Sequence, residues 1–188
     1  MSSMSQTQQN LLIAFAGESM ARNKYTQFAN IARKEGLEWI ARVFEETADN
    51  ERVHAQEEYE LIKGTVTTST KLEIKAYNHT LDNLKLAAQG EKYEWTQMYP
   101  EFEKMAIQEK DPEAIRLFGN IKKVEQEHEE RYIIISSQLS SKQLYDQDVE
   151  LEWKCVNCGY IHKGKTPPIK CPVCKKPQQW YMPIGLVK

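Results

Sequence analysis

The chain has 188 residues, a formal net charge of −2, and a composition that is 40% hydrophobic and 28% charged. This length accommodates one ordinary domain and a small second one, and the composition excludes a disordered or fibrous protein. The slightly negative charge disfavours nucleic acid as a partner. Residues 1–10 lack the apolar core of a signal peptide, and no apolar run could span a membrane. We therefore expect a cytoplasmic protein with no membrane partner.

Apolar residues recur at helical spacing up to about residue 141, which predicts four long helices. Helix C is expected to kink at Pro100, and helix D to start at Asp111-Pro112, an N-cap followed by proline. Four such helices with short links predict an antiparallel four-helix bundle. The predicted bounds are Ser5–Lys34 for helix A, Leu37–Lys63 for helix B, Leu72–Gln108 for helix C and Asp111–Ser141 for helix D.

An internal repeat relates the two halves of this bundle. The Glu-x-x-His motif that ends at His54 recurs at His128, an offset of 74 residues. Glu18 recurs as Glu91 at an offset of 73, so the two halves differ in length by one residue. A duplicated helical hairpin suggests a site on the axis that relates its halves.

Charged side chains occupy helix positions that should face the bundle core. Unpaired carboxylates in an apolar interior each cost several kcal/mol, and two metal ions would compensate them. One Glu from each of two helices, with Glu-x-x-His from each of the other two, is the ligand pattern of di-iron and di-manganese carboxylate bundles. The predicted ligands are Glu18, Glu51, His54, Glu91, Glu94, Glu125 and His128.

Glu94 breaks the symmetry of this set, because its counterpart in the first half is Ala21. It is interpreted either as a surface glutamate one turn from Glu91 or as a seventh ligand. An anionic ligand favours ferric iron, whereas a neutral imidazole tolerates ferrous iron. Exchange between Glu94 and a histidine would therefore couple the position of one iron to its redox state.

All four cysteines lie near the C-terminus, in two Cys-x-x-Cys pairs, Cys155/Cys158 and Cys171/Cys174. This spacing predicts a tetrahedral metal site, which would supply much of the folding energy of so short a segment. Zinc and iron both fit the spacing, and iron is favoured because a redox bundle has a use for it. The accompanying rise in glycine and proline predicts two domains, 1–145 and 150–188.

The segments Phe15–Tyr25, Glu46–His54, Met98–Pro100 and Glu125–Arg131, with the two cysteine pairs, resemble the rubrerythrin family over essentially the whole chain. The resemblance implies a mainly α, ferritin-like bundle with a rubredoxin-like C-terminal domain. It implies that all seven carboxylate and histidine positions bind two irons, with Glu51 and Glu125 bridging. It implies one further iron at the cysteines, which zinc can replace in recombinant protein, and it puts Tyr25 and Tyr99 beside the di-iron site.

The same resemblance implies an NADH-linked peroxidase that reduces hydrogen peroxide to water and protects an anaerobe or microaerophile from oxidative stress. Electrons would pass through the cysteine-bound iron from a separate reductase or rubredoxin, since the chain has no Gly-rich dinucleotide motif. The iron bound by Glu18 would move between Glu94 and His54. A homodimer is expected, head-to-tail or domain-swapped. The alternatives are a ferritin-like ferroxidase or iron-handling protein, and a peroxide sensor.

Overall fold

The computed structural model describes residues 5–71, 73–75 and 78–185. A bundle of long helices is followed by a small three-stranded sheet, as the sequence predicted. None of the helices in these ranges is long and apolar enough to cross a membrane. The elements are α1 (Gln6–Lys34), α2 (Glu38–Leu61), α3 (Thr80–Tyr93), a π-helical turn (Glu94–Met98), α4 (Tyr99–Glu109), α5 (Pro112–Ser140), β1 (Leu151–Cys155), β2 (Ile161–Gly164), a 3-10 turn (Gln178–Trp180) and β3 (Tyr181–Ile184).

The third helix of the bundle begins at Thr80, so the predicted start at Leu72 was wrong. Leu72 itself lies outside the described residues, but residues 73–75 and 78–79 are not helical. His79 is extended and provides no side-chain cap. Instead, both carboxylate oxygens of Glu35 accept the N–H of Thr80 at 3.2 Å. A residue just beyond α1 therefore sets the start of α3.

Close to Pro100, where a kink was expected, the structure has a π-helical turn that ends two residues earlier, at Met98. The N–H of Tyr99 donates to the carbonyl oxygen of Glu94, five residues earlier. Pro100 follows in the first turn of α4, where its missing N–H removes one helical hydrogen bond. Together α3, the π turn and α4 form the third helix of the bundle.

The π turn also accounts for the length difference between the two halves of the repeat. Glu18 and Glu91 are 73 residues apart, whereas Tyr25 and Tyr99 are 74 apart. The additional residue therefore lies after Glu91 and no later than Tyr99, within the stretch where the helix widens. A single π-helical turn accommodates one extra residue without breaking the helix, and such turns are frequent at functional sites.

Two apolar clusters fill the bundle, one on each side of a layer of charged residues. In one, the rings of Tyr25, Phe28, Phe44 and Tyr132 pack with centroids 5.4 to 6.1 Å apart. Burying each side chain of this size contributes ~1.5–3 kcal/mol of stability. The clusters hold the charged layer between them, because α1 and α5 run through both. The other cluster includes Leu11, Ala14, Met98, Phe102, Leu117, Phe118 and Ile121.

The small sheet has the strand order β2-β1-β3, and both pairings are antiparallel. Trp153 and Tyr181 are fully buried in it beside Cys155 and Cys171. The sheet packs against the bundle, where Val156 contacts the apolar cluster that contains Phe44. The four-cysteine segment is therefore docked on the bundle through a defined apolar contact.

Candidate metal centres

Six of the seven predicted bundle ligands meet in the charged layer, and all six are at most 8% exposed. They form two groups of four, and in each group the ligand atoms lie within 4.8 Å of one another. Glu51 and Glu125 belong to both groups. The geometry thus provides two adjacent metal positions that share two carboxylates. The groups are Glu18, Glu51, His54 and Glu125, and Glu51, Glu91, Glu125 and His128.

The Nδ1 atoms of both histidines face the shared carboxylates. His54 Nδ1 lies 2.8 Å from Glu51 Oε2 and 3.0 Å from Glu125 Oε1. His128 Nδ1 lies 2.8 Å from Glu125 Oε2. A metal with ligand bonds of about 2.1 Å, set near right angles, places neighbouring ligand atoms about 3 Å apart. The observed separations match that spacing.

The charged layer contains ligand atoms whose bonding is incomplete without a cation. Burial, and then the neighbouring carboxylates, raises the pKa of Glu18 and of Glu91 well above the usual value. Buried carboxylates of this kind need a compensating positive charge. The donor set of carboxylate oxygens and imidazole nitrogens fits two iron or manganese ions. Atoms without a hydrogen-bond partner among the described residues include Glu18 Oε2 and Glu91 Oε2.

Glu94, the seventh predicted ligand, lies at the edge of this site and in neither group of four. Its side chain is half-buried on the π turn. It lines a cleft of about 590 Å³ together with Lys24, Gly90 and Tyr93. Burial, and then Glu125 and Glu51, raises the pKa of Glu94 to about 8. In this arrangement His54, rather than Glu94, accompanies Glu18.

Both predicted tyrosines contact the site directly. The Tyr25 hydroxyl donates to Glu91 Oε1, and the Tyr99 hydroxyl donates to Glu18 Oε1. The two tyrosines occupy equivalent positions in the repeat. Each therefore orients the unshared carboxylate of one metal position, as hydrogen-bond partners of metal ligands commonly do.

Glu58 is a buried carboxylate beside the site that the sequence analysis did not single out. It is 0% exposed, and its Oε1 lies 2.9 Å from the Tyr99 hydroxyl. The signal was present in the sequence, because Glu58 follows Glu51 and His54 on one helical stripe, at spacings of seven and four residues. Its counterpart in the second half is Tyr132, which hides the match in the repeat.

The four cysteine sulfurs converge between the two Cys-x-x-Cys knuckles, and none is in a disulfide. The Sγ atoms of Cys155 and Cys174, and those of Cys158 and Cys171, are 3.6 Å apart. Metal–sulfur bonds of about 2.3 Å place tetrahedral ligands about 3.8 Å apart. Although burial raises the pKa of Cys171, backbone N–H groups of its knuckle lower it to about 6. The site fits one tetrahedral ion, zinc or iron.

The fold and the two sites define a class of protein, a carboxylate-bridged two-metal helical bundle with an attached four-cysteine metal domain. The family model "Rubrerythrin" matches residues 9–134, and "Rubrerythrin, rubredoxin-like domain" matches residues 153–181. The chain is 41% identical to rubrerythrin of Porphyromonas gingivalis over 181 residues, which cover 96% of this chain and 90% of that relative. It is also 41% identical to rubrerythrin-1 of Clostridium acetobutylicum over 180 residues, covering 93% and 92%.

A solved structure titled "Fully reduced state of nigerythrin (all ferrous)" aligns with a TM-score of 0.65 and 37% identity, over 97% of this chain and 88% of that one. The chain belongs to the rubrerythrin family, a family of oxidoreductases. The family membership and the fold inferred from the sequence are therefore confirmed. The chain combines a buried carboxylate–histidine site for two metals with a four-cysteine site.

Proposed function

We propose that the chain is a peroxidase that reduces hydrogen peroxide to water at the two-metal site. The observation that carries this proposal is the sharing of Glu51 and Glu125 between two adjacent metal positions. Two reduced metals held side by side by these carboxylates would supply both electrons to one peroxide, so that no hydroxyl radical would be released. The balanced reaction takes one H2O2, two electrons and two protons to two waters. A metal at the four-cysteine site of the same chain would return electrons to the two-metal site after each reaction.

The proposed di-iron ligands are the six converging residues and Glu94, which would replace His54 on the iron of Glu18 when that iron is oxidised. When bound, the irons would supply the one-electron redox steps, while the chain holds and shields them. The cleft lined by Lys24 and Glu94 offers a small neutral molecule such as peroxide an approach to the site. The donor set of carboxylates and imidazoles supports iron. We also propose that the chain divides into two domains, 1–145 and 150–188.

We further propose that an NADH-linked reductase or a rubredoxin supplies the electrons, because the chain lacks a dinucleotide motif of its own. A homodimer, head-to-tail or domain-swapped, is proposed as the working assembly. Exposed apolar side chains on two helices, Tyr59 and Val53 on α2 and Ile133 and Ile134 on α5, support an interface there. Protection from oxidative stress would be the physiological role.

An anaerobic rapid-mixing experiment tests the activity. Iron-loaded, fully reduced protein is mixed with one equivalent of H2O2 or of O2, and the absorption of the ferric four-thiolate centre is followed. We expect peroxide to re-oxidise this centre much faster than O2 does. A Glu51→Ala variant should lose the fast phase, whereas Glu57→Gln, an exposed neighbour on the same helix, should keep it. A clear preference for O2, or no reaction with peroxide, would favour the ferroxidase or the sensor instead.

A further inference from the structure

Glu58 is a fully buried carboxylate with no place in either group of metal-binding residues. Its Oε1 lies 2.9 Å from the Tyr99 hydroxyl, and its Oε2 has no hydrogen-bond partner among the described residues. A buried, ionised carboxylate with so little hydrogen bonding would be costly. The position of Glu58 therefore disfavours the ionised form of its side chain.

The Tyr99 hydroxyl has one proton but contacts two carboxyl oxygens. It approaches Oε1 of Glu18 and Oε1 of Glu58. A phenol donates one hydrogen bond and can accept another. One of the two carboxyl groups must therefore bring its own proton and donate it to Tyr99. A carboxylate bound to a metal is deprotonated, so Glu18 cannot be that donor when the site is loaded.

We propose that Glu58 is a positioning residue, a neutral carboxylic acid that donates its proton to the Tyr99 oxygen and so commits the Tyr99 proton to Glu18. The resulting chain runs from Glu58 through Tyr99 to Glu18, and each hydrogen bond polarises the next. Glu58 acts on the metal site through Tyr99 and touches neither substrate nor metal.

The other half of the bundle lacks this arrangement, because Tyr132 takes the place of Glu58 there. Tyr25 donates to Glu91 without a second carboxyl group competing for its proton among the described hydrogen bonds. The charged groups near Glu58 include His54, Glu125, Glu94 and Glu18. Burial raises the pKa of Glu58 well above its usual value, in agreement with a neutral acid. Glu58 therefore makes the hydrogen bonding of the two metal positions unequal.

Infrared spectroscopy of the metal-loaded protein tests the proton directly. With the ligand carboxylates deprotonated, wild type minus Glu58→Gln should contain the carbonyl band of a protonated carboxylic acid, shifted in D2O. Wild type minus Glu57→Gln, the exposed neighbour, should not contain it. The absence of the acid band from the first difference spectrum would overturn the proposal, even if every variant folds and binds metal.

Manganese titration, with free Mn(II) followed by electron paramagnetic resonance, tests the positioning role. The Glu58→Gln amide keeps a donor for Tyr99, so its affinity should stay within about twofold of wild type. Glu58→Leu keeps the volume but removes the donor, and should bind about 10-fold more weakly, as for other residues that hold metal ligands. Equal affinities for the two variants would overturn the positioning role.

This inference rests on Glu18 being a ligand, which belongs to the proposed function. The Glu18→Ala variant separates the two, because it should lose one manganese equivalent whatever the state of Glu58. Unchanged stoichiometry in Glu18→Ala would overturn the ligand assignment and with it this inference. Loss of one equivalent, with no acid band assigned to Glu58, would overturn this inference alone.

Discussion

Gly159 and Lys175 occupy equivalent places in the two cysteine knuckles, and both have left-handed backbone angles, with φ of 79° and 63°. Glycine adopts this conformation freely, whereas other residues lose roughly 1–2 kcal/mol. Lys175 offsets part of that cost, because its Nζ donates to the Pro172 carbonyl oxygen at 2.9 Å. The second knuckle is thus closed by a strained residue.

Replacing Lys175 with glycine should therefore stabilise the four-cysteine domain. We expect a gain of about 0.5–1 kcal/mol, because relief of the left-handed strain exceeds the loss of one exposed hydrogen bond and the extra freedom of the unfolded chain. Thermal unfolding of the metal-loaded chain measures it. The reverse change in the first knuckle, Gly159→Lys, is the matched control and should destabilise. Equal stability of all three proteins would show that the φ angle carries no strain.

The start of α1 depends on Glu109, which lies at the end of α4. Its carboxylate accepts hydrogen bonds from Ser5 Oγ at 2.5 Å, Gln6 N at 3.0 Å and Thr7 N at 2.8 Å. These donors, the Ser5 hydroxyl first among them, lower the pKa of Glu109 from 4.5 to about 2. The carboxylate therefore caps one helix from another and joins the two hairpins.

The Glu109→Gln variant should lose about 1 kcal/mol of stability at neutral pH, the usual loss for a helix cap. Because folding lowers the pKa of Glu109, its stabilisation is complete above pH 4.5 and is lost as the pH falls towards 2. Urea unfolding at several pH values should therefore show the gap between wild type and variant closing on acidification. The exposed Glu57→Gln change should show no such gap. A gap that widened in acid would contradict the cap.

The starts of α1 and α5 were predicted well from the sequence, and both have local caps. Ser5 accepts the N–H of Gln8, and Asp111 accepts the N–H of Ala114 at 3.1 Å. The start of α3 could not be predicted this way, since its cap comes from Glu35, which is distant in sequence. The same holds for the site. The two Glu-x-x-His motifs, with the repeat-related Glu18 and Glu91, predicted six residues that the structure brings together. Glu58, by contrast, makes its contact through Tyr99 on another helix.

The π turn keeps Glu91 and Tyr99 facing the site on one continuous helix. Deleting Thr96, which is exposed in this turn, should restore regular helix and rotate one side of it against the other by about 100°. One of the two residues must then leave the site. We expect the deletion variant to bind fewer than two metals in the bundle, measured by elemental analysis of the folded protein. Thr96→Ala, which keeps the length, should bind both, and full binding by the deletion variant would contradict this account.

At the scale of the whole molecule, Trp180 joins the four-cysteine domain to the bundle. Two cations lie over its ring, Arg42 of α2 at 5.6 Å and Lys176 at 4.2 Å from the ring centroid. Cation–π contacts contribute about 0.5–1 kcal/mol each at exposed sites. Of the two, only the Arg42 contact reaches the bundle, and it acts beside the apolar contacts of Val156 and Met182 with the bundle cluster.

The Trp180→Ala variant should loosen the docking of the domain without emptying either metal site. We expect several-fold faster tryptic cleavage after Lys142 in the connecting segment, because the neighbouring Leu144 is buried in the bundle cluster and Tyr145 packs against both the bundle and the small domain while that domain is docked. Metal content serves as the control and should be unchanged. Cleavage at the wild-type rate would mean that Val156 and its neighbours suffice to hold the domain.

The extra residue of the π turn also indicates the order of two evolutionary events, the duplication of the hairpin and the change in its length. Only one of the two related hairpins has it, and a change of length before the duplication would have left its mark on both. The duplication therefore came first, and the hairpins diverged in length only after they were joined. Before that event, a single hairpin could complete a two-metal layer only by pairing with a copy of itself. Two copies of one hairpin would have given two identical metal positions. The joined hairpins can differ, and the two positions of the present site do.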